Sequence, residues 1–258
     1  MPTSPADTRR LFEQELQRRG IEFGIDPESG RHSLSIAGTD ILVSLSNLER
    51  SLEDGDDVDR VARFVDTVVE TGSHGTDDLS AEQLYWAMEP NDYEEPAEFR
   101  VPLSDRVDRV LVHQSPDGGA IHWVSHDMLE QLGLSEAQAQ DKAFDNLASS
   151  LRNATVEWSD VDGVRLAYLS TSLPFKASLL LAPNLREVVQ HTIGWPVLAV
   201  APDRDFLYFW AAEHADFAGR VGAVTVHEFQ EAAYPLSTEV FEISEEGCRA
   251  IGEFPIPN

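Results

Sequence analysis

The stretch of residues 195–210 contains two apolar runs, 197–201 and 206–210, which flank a short polar turn. Neither run alternates with polar residues, and this pattern is typical of strands that are buried on both faces. We therefore expect a hairpin inside a sheet that is covered on two sides, with other elements packed against it.

Two further pairs of apolar runs predict hairpins. Residues 107–113 and 120–124 flank a turn with the dipeptide Asp117-Gly118, and residues 155–158 and 164–169 flank a turn that ends at Gly163. Capping signatures predict helices between the hairpins, including one that begins after Ser135. Three hairpins with flanking helices predict an α+β fold, with a largely antiparallel sheet built from hairpins and helices packed on it.

The first part of the chain has the same character. A helix is expected over residues 7–19, followed by short strands at 21–25, 32–36 and 41–45. A second helix begins near Asp57, and its apolar face is expected to comprise Val58, Val61, Val65 and Val68. The segment Ser80–Gln83 has the pattern of a capping box and predicts one more short helix, carrying Leu84, Tyr85 and Met88.

Residues 89–98 contain five acids, two prolines and no base, which is typical of an exposed connector. They divide the chain into an N-terminal α+β part, residues 1–88, and a main domain, residues 99–258. The alternative interpretation is that the connector is a docking strip for a basic partner, in which case its interacting side chains are Asp92, Glu94, Glu95 and Glu98.

Charge distinguishes this chain more than any motif. It has 258 residues, with 46 acidic and 19 basic side chains and a net charge of −27, and its only lysines are Lys142 and Lys176. An acidic surface favours basic partners. Direct binding to nucleic acid requires clustered lysine and arginine side chains, which this sequence lacks. Adaptation to high salt predicts the same composition, so both explanations stay open.

No motif in the chain specifies a reaction. The single cysteine, Cys248, allows neither an internal disulfide nor a cysteine metal cage, and the sequence lacks a Gly-x-Ser-x-Gly elbow and a glycine-rich phosphate loop. His122 and His126 are four residues apart but are expected on a strand and at a helix start, so no metal site is predicted. No cofactor is predicted either.

The first ten residues contain no apolar signal region, and no apolar run in the chain approaches the length of a membrane span. A cytoplasmic protein without membrane association is therefore expected.

The polar turn of the central hairpin carries the weak candidates for chemistry. Asp203 and Asp205 could act as paired carboxylates in acid/base work, although aspartate also favours turns because it bonds its own backbone. A hydrolase-type site would combine them with Ser178, Lys176 and His191 from other segments.

From about residue 107 to 254 the chain resembles the YtpQ-like family, a group of bacterial proteins of unknown function. Four segments carry the resemblance: Val124–Leu129, Ala143–Leu147, Phe175–Leu181 and Val200–Leu207. The third segment departs from the family pattern, because Lys176 and Leu179 stand where the family has Asp and Arg. The resemblance implies an α+β fold and a cytoplasmic bacterial protein, and it implies no activity.

The leading functional hypothesis is a non-enzymatic module that binds another protein, for example as an immunity or inhibitor protein for a basic toxin or nuclease. A hydrolase with a site near residues 175–181 and 202–205 is the first alternative. A scaffold protein of an acid-rich, salt-adapted proteome is the second.

Overall fold

The structure is a computed structural model, and it describes residues 5–26, 31–36, 39–43, 45, 48, 57–73, 79–92, 97–115, 121–232 and 234–256. The chain forms two compact units, and the main division falls between Asp78 and Leu79. Antiparallel sheets and helices make up both units, so the expected α+β fold is confirmed.

Among its described residues, the N-terminal unit packs two long helices with a three-stranded antiparallel sheet. Helix α1 spans Pro5–Arg19 and helix α2 spans Asp57–Ser73. The strands, which pair in the order β1-β2-β3, are β1 (Phe23–Ile25), β2 (His32–Ile36) and β3 (Thr39–Val43).

The core of this unit follows the predicted apolar faces with one exception. Phe12 and Leu16 of α1 are fully buried, and Val61, Val65 and Val68 of α2 pack in the same cluster. Val58 was expected on that face, but 67% of it is exposed. It lies in the first turn of α2 and is not part of the buried cluster that contains Val61, Val65 and Val68.

A four-stranded antiparallel sheet opens the second unit. The central strand β6 pairs with β4 along one edge, whereas β5 and β7 pair with it along the other. Its strands are β4 (Leu84–Pro90), β5 (Arg100–Pro102), β6 (Val107–Gln114) and β7 (Ile121–Trp123). The predicted pairing of 107–113 with 120–124 is thus confirmed, while its turn residues Asp117 and Gly118 lie outside the described residues.

Strand β4 corrects the sequence prediction of a helix carrying Leu84, Tyr85 and Met88. Ser80 does cap a helical turn, but this turn is a single 3-10 turn, Ala81–Gln83, and the chain then becomes extended. Five of the seven residues of β4 are buried, because the strand packs apolar side chains on both faces. Its pairing with β6 outweighs the local capping signal. The division before β4 also differs from the boundary expected at residues 89–98.

A six-stranded antiparallel sheet forms the other half of the second unit, with the order β13-β12-β10-β11-β9-β8. The three hairpins that build it are β8 (Thr155–Val161) with β9 (Val164–Ser170), β10 (Val197–Asp203) with β11 (Phe206–Ala211), and β12 (Glu239–Ser244) with β13 (Gly247–Glu253). The hairpin predicted at 195–210 is therefore at the centre of this sheet.

Both faces of the central hairpin are covered, as its apolar pattern predicted. The odd-numbered residues Val197, Ala199 and Phe209 pack in the main core, whereas Leu198 and Trp210 pack in a second cluster with Phe217 and Val221. Alternate residues of a strand point to opposite faces, so the two clusters lie on opposite sides of the sheet.

Helices and short 3-10 segments cover these sheets. The α-helices of the second unit are α3 (His126–Leu132), α4 (Glu136–Asn153), α5 (Leu185–Val189) and α6 (Ala218–Glu231). The 3-10 segments are Lys176–Leu181 and Ala212–Phe217. Helix α4 packs along β4, α6 packs on β10, and the segment Lys176–Leu181 contacts α4, β4 and β11. None of the described helices has the length and apolarity needed to cross a membrane.

The predicted capping box of α4 forms in full. The Ser135 hydroxyl accepts from the backbone N of Gln138, and the Gln138 side chain accepts from the backbone N of Ser135 at 2.9 Å. Replacing Ser135 with Ala should lower the free energy of unfolding by about 1 kcal/mol, because the backbone N–H of Gln138 loses its acceptor. Ser149→Ala, in the exposed interior of the same helix, is the control and should cost nothing. Chemical denaturation of both variants tests this, and equal losses would contradict the assigned cap.

Candidate functional site

The tip of the central hairpin carries two of the five candidate residues, Asp203 and Asp205. The turn consists of Arg204 and Asp205, with Asp203 opposite Phe206 in the register. The Asp203 carboxylate accepts from the backbone N of Asp205 at 2.6 Å and from that of Tyr234 at 3.4 Å. Asp203 therefore stabilises the turn and joins it to the segment that precedes β12.

The backbone of the tip also joins the turn to the 3-10 segment Lys176–Leu181. The Arg204 carbonyl accepts from the Ala177 N–H, and the Arg204 N–H donates to the Tyr234 carbonyl, both at 3.0 Å. Two segments that are distant in sequence thus bind to one turn residue.

Ser178 lies in the same 3-10 segment but is fully buried. Its Oγ accepts from the backbone N of Met88 at 2.8 Å, which links the segment to β4. No hydrogen bond in the described part of the chain joins this hydroxyl to a histidine or carboxylate. The contacts therefore give Ser178 a structural role.

Arg204 extends from the tip toward the four-stranded sheet. Its guanidinium lies 3.8 Å from Glu89 and 4.1 Å from the centre of the Tyr234 ring. Glu89 is only 3% exposed, so a carboxylate in this place requires a nearby cation and hydrogen bonds to offset the cost of burial. Neither Glu89 nor Tyr234 was singled out in the sequence, since their partner Arg204 is remote along the chain.

Asp205 has the most perturbed carboxyl group of the tip. Burial raises its pKa, Asp203 adds to that effect, and the charges of Arg204 and Lys176 oppose it. Its Oδ1 is buried, has no hydrogen-bond partner among the described residues, and lies 3.9 Å from Nε of Arg204. Lys176 comes near this turn because its neighbour Ala177 donates to the Arg204 carbonyl, but no hydrogen bond or ion pair among the described residues joins Lys176 to Asp205.

His191 does not join this group. It is exposed beyond the end of α5, and in the described part of the chain no hydrogen bond or ion pair links it to the tip. A hydrolase would need a nucleophile next to a base that a third group orients. The five candidate residues do not form such an arrangement.

Two other reactive side chains are held neutral. Burial and the nearby Glu239 raise the pKa of the Cys248 thiol to about 12, so the thiolate that a nucleophile needs is scarce at neutral pH. Burial and His122 lower the pKa of His113 to about 4, and its Nε2 accepts from the Ser80 N–H. Among the described residues no group of three or more His, Cys, Asp or Glu side chains is placed to hold a metal ion.

The acidic connector is partly used within the fold. Glu98 accepts from the backbone N of His126 at 2.7 Å and contacts the ring Nδ1 of the same residue, and these bonds lower its pKa. It therefore binds the first turn of α3. Asp92 is exposed, whereas Glu94 and Glu95 lie outside the described residues.

One surface that sequence reasoning missed lies at the edge of the six-stranded sheet. Strand β8 is the last strand on this side, and five of its seven residues are exposed, among them Trp158 and Glu157. The sequence predicted the β8–β9 hairpin, but only the strand order shows that β8 is an edge. Exposed backbone and an exposed tryptophan together are features of protein-binding surfaces.

Comparisons of the chain with protein-family models, with curated proteins and with solved structures give no match. The resemblance to the YtpQ-like family stays a prediction.

The contacts of Asp203 predict a difference between the two turn carboxylates. Asp203→Ala should lower the free energy of unfolding by about 2 kcal/mol, because two backbone N–H groups lose a charged acceptor. Asp205→Ala is the matched variant and should cost less, since it removes a carboxyl oxygen without a hydrogen bond. Urea denaturation near pH 7 measures both. A larger loss for Asp205→Ala would contradict the structural role of Asp203.

His113 predicts a pH effect whose sign follows from its lowered pKa. In the unfolded chain the imidazole takes up a proton near its ordinary pKa of 6.5. In the folded protein its pKa is about 4, so it stays neutral until the pH falls to that value. The unfolded state is therefore favoured as the pH falls through this interval. Between about pH 7.5 and 5.5 this histidine should cost about 1 kcal/mol of stability.

His113→Gln keeps an acceptor for the Ser80 N–H and removes the titrating group. Between about pH 7.5 and 5.5 this variant should therefore lose about 1 kcal/mol less stability than the natural protein. The exposed His191→Gln is the control and should leave the pH dependence unchanged. Identical pH profiles for all three proteins would show that His113 is not the responsible group.

Proposed function

We propose that this chain is an acidic protein-binding module whose partner is a basic protein. The observation that carries the proposal is the fate of its basic side chains, since among the described residues eleven of the chain's 19 form ion pairs with acidic side chains. The 46 acidic side chains outnumber the 19 basic ones, so a net charge of −27 is not neutralised within the chain.

Ion pairs of this kind occur in both units. They join Arg9 to Glu13, Arg10 to Asp7, Arg19 to Glu15 and Asp66, Arg100 to Asp108, Arg106 to Glu253, Lys142 to Glu82, Arg186 to Glu245, Arg220 to Asp162 and Arg249 to Glu242. Most are exposed and contribute little stability. Their main consequence is electrostatic, because a carboxylate next to each of these cations offsets its charge locally, so that it interrupts the negative potential less.

A basic partner would gain from this potential in two ways. Long-range attraction raises the rate of encounter, and like-charge repulsion excludes the acidic majority of other proteins. An immunity or inhibitor protein for a basic toxin or nuclease is a concrete form of this function. The same potential disfavours direct contact with nucleic acid.

The contacts at the hairpin tip support a binding role over a hydrolase. Asp203 and Ser178 are engaged in backbone hydrogen bonds, and His191 is apart from both. A perturbed carboxyl at Asp205 alone does not supply a nucleophile.

Purification of partners from the source cells at about 150 mM salt, with this chain as bait, tests the proposal. An unrelated protein of similar size and net charge serves as the control bait, since it captures whatever binds by ion exchange alone. We expect a basic protein that this chain retains and the control does not. With the purified pair, the association rate should fall at least about tenfold between 50 and 500 mM salt.

Recovery of only neutral or acidic partners, or an association rate that does not change with salt, would contradict a basic partner. Salt adaptation is tested separately by thermal unfolding in increasing KCl. A stability that is low in dilute buffer and regained only in molar salt, without any basic partner, would favour the scaffold hypothesis.

A further inference from the structure

The edge strand β8 is regular and open. All seven of its residues, Thr155–Val161, pair with β9 in unbroken register, without a bulge. No described strand pairs with its other edge. In an antiparallel strand alternate residues direct their N–H and C=O groups outward, so β8 presents a row of backbone donors and acceptors to solvent.

Natural edge strands usually carry features that block further pairing, such as lysines, prolines, bulges or short length. Strand β8 contains neither proline nor lysine, and its length is typical of an interior strand. The opposite edge strand, β13, is different. Its pairing with β12 shifts register between Val240 and Phe241, and it contains Gly252 and the cationic Arg249.

The charges of β8 decide which partner can pair with it. Glu157 and Asp160 are exposed on the strand, and neither forms an ion pair among the described residues. Glu157 accepts from the Tyr168 hydroxyl at 2.6 Å, and Asp160 accepts from the Gly163 N–H at 3.0 Å, so both carboxylates are held in place on the hairpin. A second copy of this chain would bring like charges together and is disfavoured, whereas a basic strand would not.

Exposed aromatic rings flank the strand on both faces of the hairpin. Trp158 is 44% exposed, and the Arg165 guanidinium lies 4.6 Å from the centre of its ring. Tyr168, opposite Glu157 in the register, is 37% exposed. Rigid aromatic side chains of this type often dominate the affinity of protein interfaces.

We propose that β8 is the docking edge for an extended, basic segment of the partner protein, which adds to the six-stranded sheet as a further strand. Backbone hydrogen bonds supply the pairing, and lysine or arginine side chains of the segment lie next to Glu157 and Asp160. This inference rests on the proposed function, because it places the basic partner on one edge of the fold.

The test uses the full chain and a seven-residue lysine–valine peptide, a length that matches β8, with two lysines three positions apart so that one lies on the face of Glu157 and the other on the face of Asp160. A second peptide has the same sequence with alternate backbone nitrogens methylated, which removes outward hydrogen bonds and keeps every charge. We expect the methylated peptide to bind at least about tenfold more weakly, since it loses several backbone bonds.

Protein variants locate the site. Glu157→Gln keeps an acceptor for Tyr168 and removes one charge, and it should weaken binding about two- to fivefold. Glu130→Gln, on the exposed surface of α3, removes one charge elsewhere and should change affinity less. Hydrogen exchange of the unmodified protein is independent of variant folding, and it should show new protection of β8 amides when the peptide binds.

Two failures can be told apart. If both peptides bind equally, with salt-dependent affinity and no protection of β8, the docking edge is wrong and the proposed function stands. If the lysine–valine peptide does not bind at all at low salt, attraction of basic partners fails and the proposed function falls with it.

Discussion

Burial of the central hairpin on both faces is the constraint on which the second unit depends. Phe209 and Trp210 are adjacent in β11, yet their fully buried rings lie in different clusters on opposite sides of the sheet. Truncating a buried aromatic ring costs about 3–5 kcal/mol, whereas a whole domain has a stability of only about 5–15 kcal/mol. A polar residue at either position would therefore endanger the fold, and the 3-10 segment Lys176–Leu181 and helix α6 are needed to exclude water from the two faces.

A hairpin fixed in this way also fixes its turn, and the turn serves as a junction for other segments. Asp203 binds the backbone of residues 205 and 234, while Arg204 binds Ala177 through its carbonyl and approaches Glu89 through its guanidinium. Polar residues at a sheet end are often taken as signs of catalysis. In this protein their contacts are explained by the need to satisfy backbone groups and one buried carboxylate where three chain segments meet.

Local patterns predicted the parts of the fold that local interactions decide. The capping box at Ser135 and the hairpin of 195–210 follow from neighbouring residues, and both are confirmed. The helix expected after Ser80 is wrong, because strand β4 is determined by pairing with β6, which follows later in the chain. Glu89 was missed for a similar reason. Its acidic neighbours made it resemble a solvated connector, and nothing near it in sequence indicates that Arg204 approaches it.

The same limit applies to the surface. Whether a strand is central or at an edge depends on strand order, which hydrophobic pattern does not encode, so the exposure of Trp158 could not be foreseen. Composition nonetheless contributes one part of the explanation. Strand β8 carries none of the lysines that usually protect an edge, and with a net charge of −27 the chain has less need of them, because copies of an acidic protein repel each other. That protection works only against acidic chains. An open β8 is thus compatible with solubility and at the same time selective for basic strands.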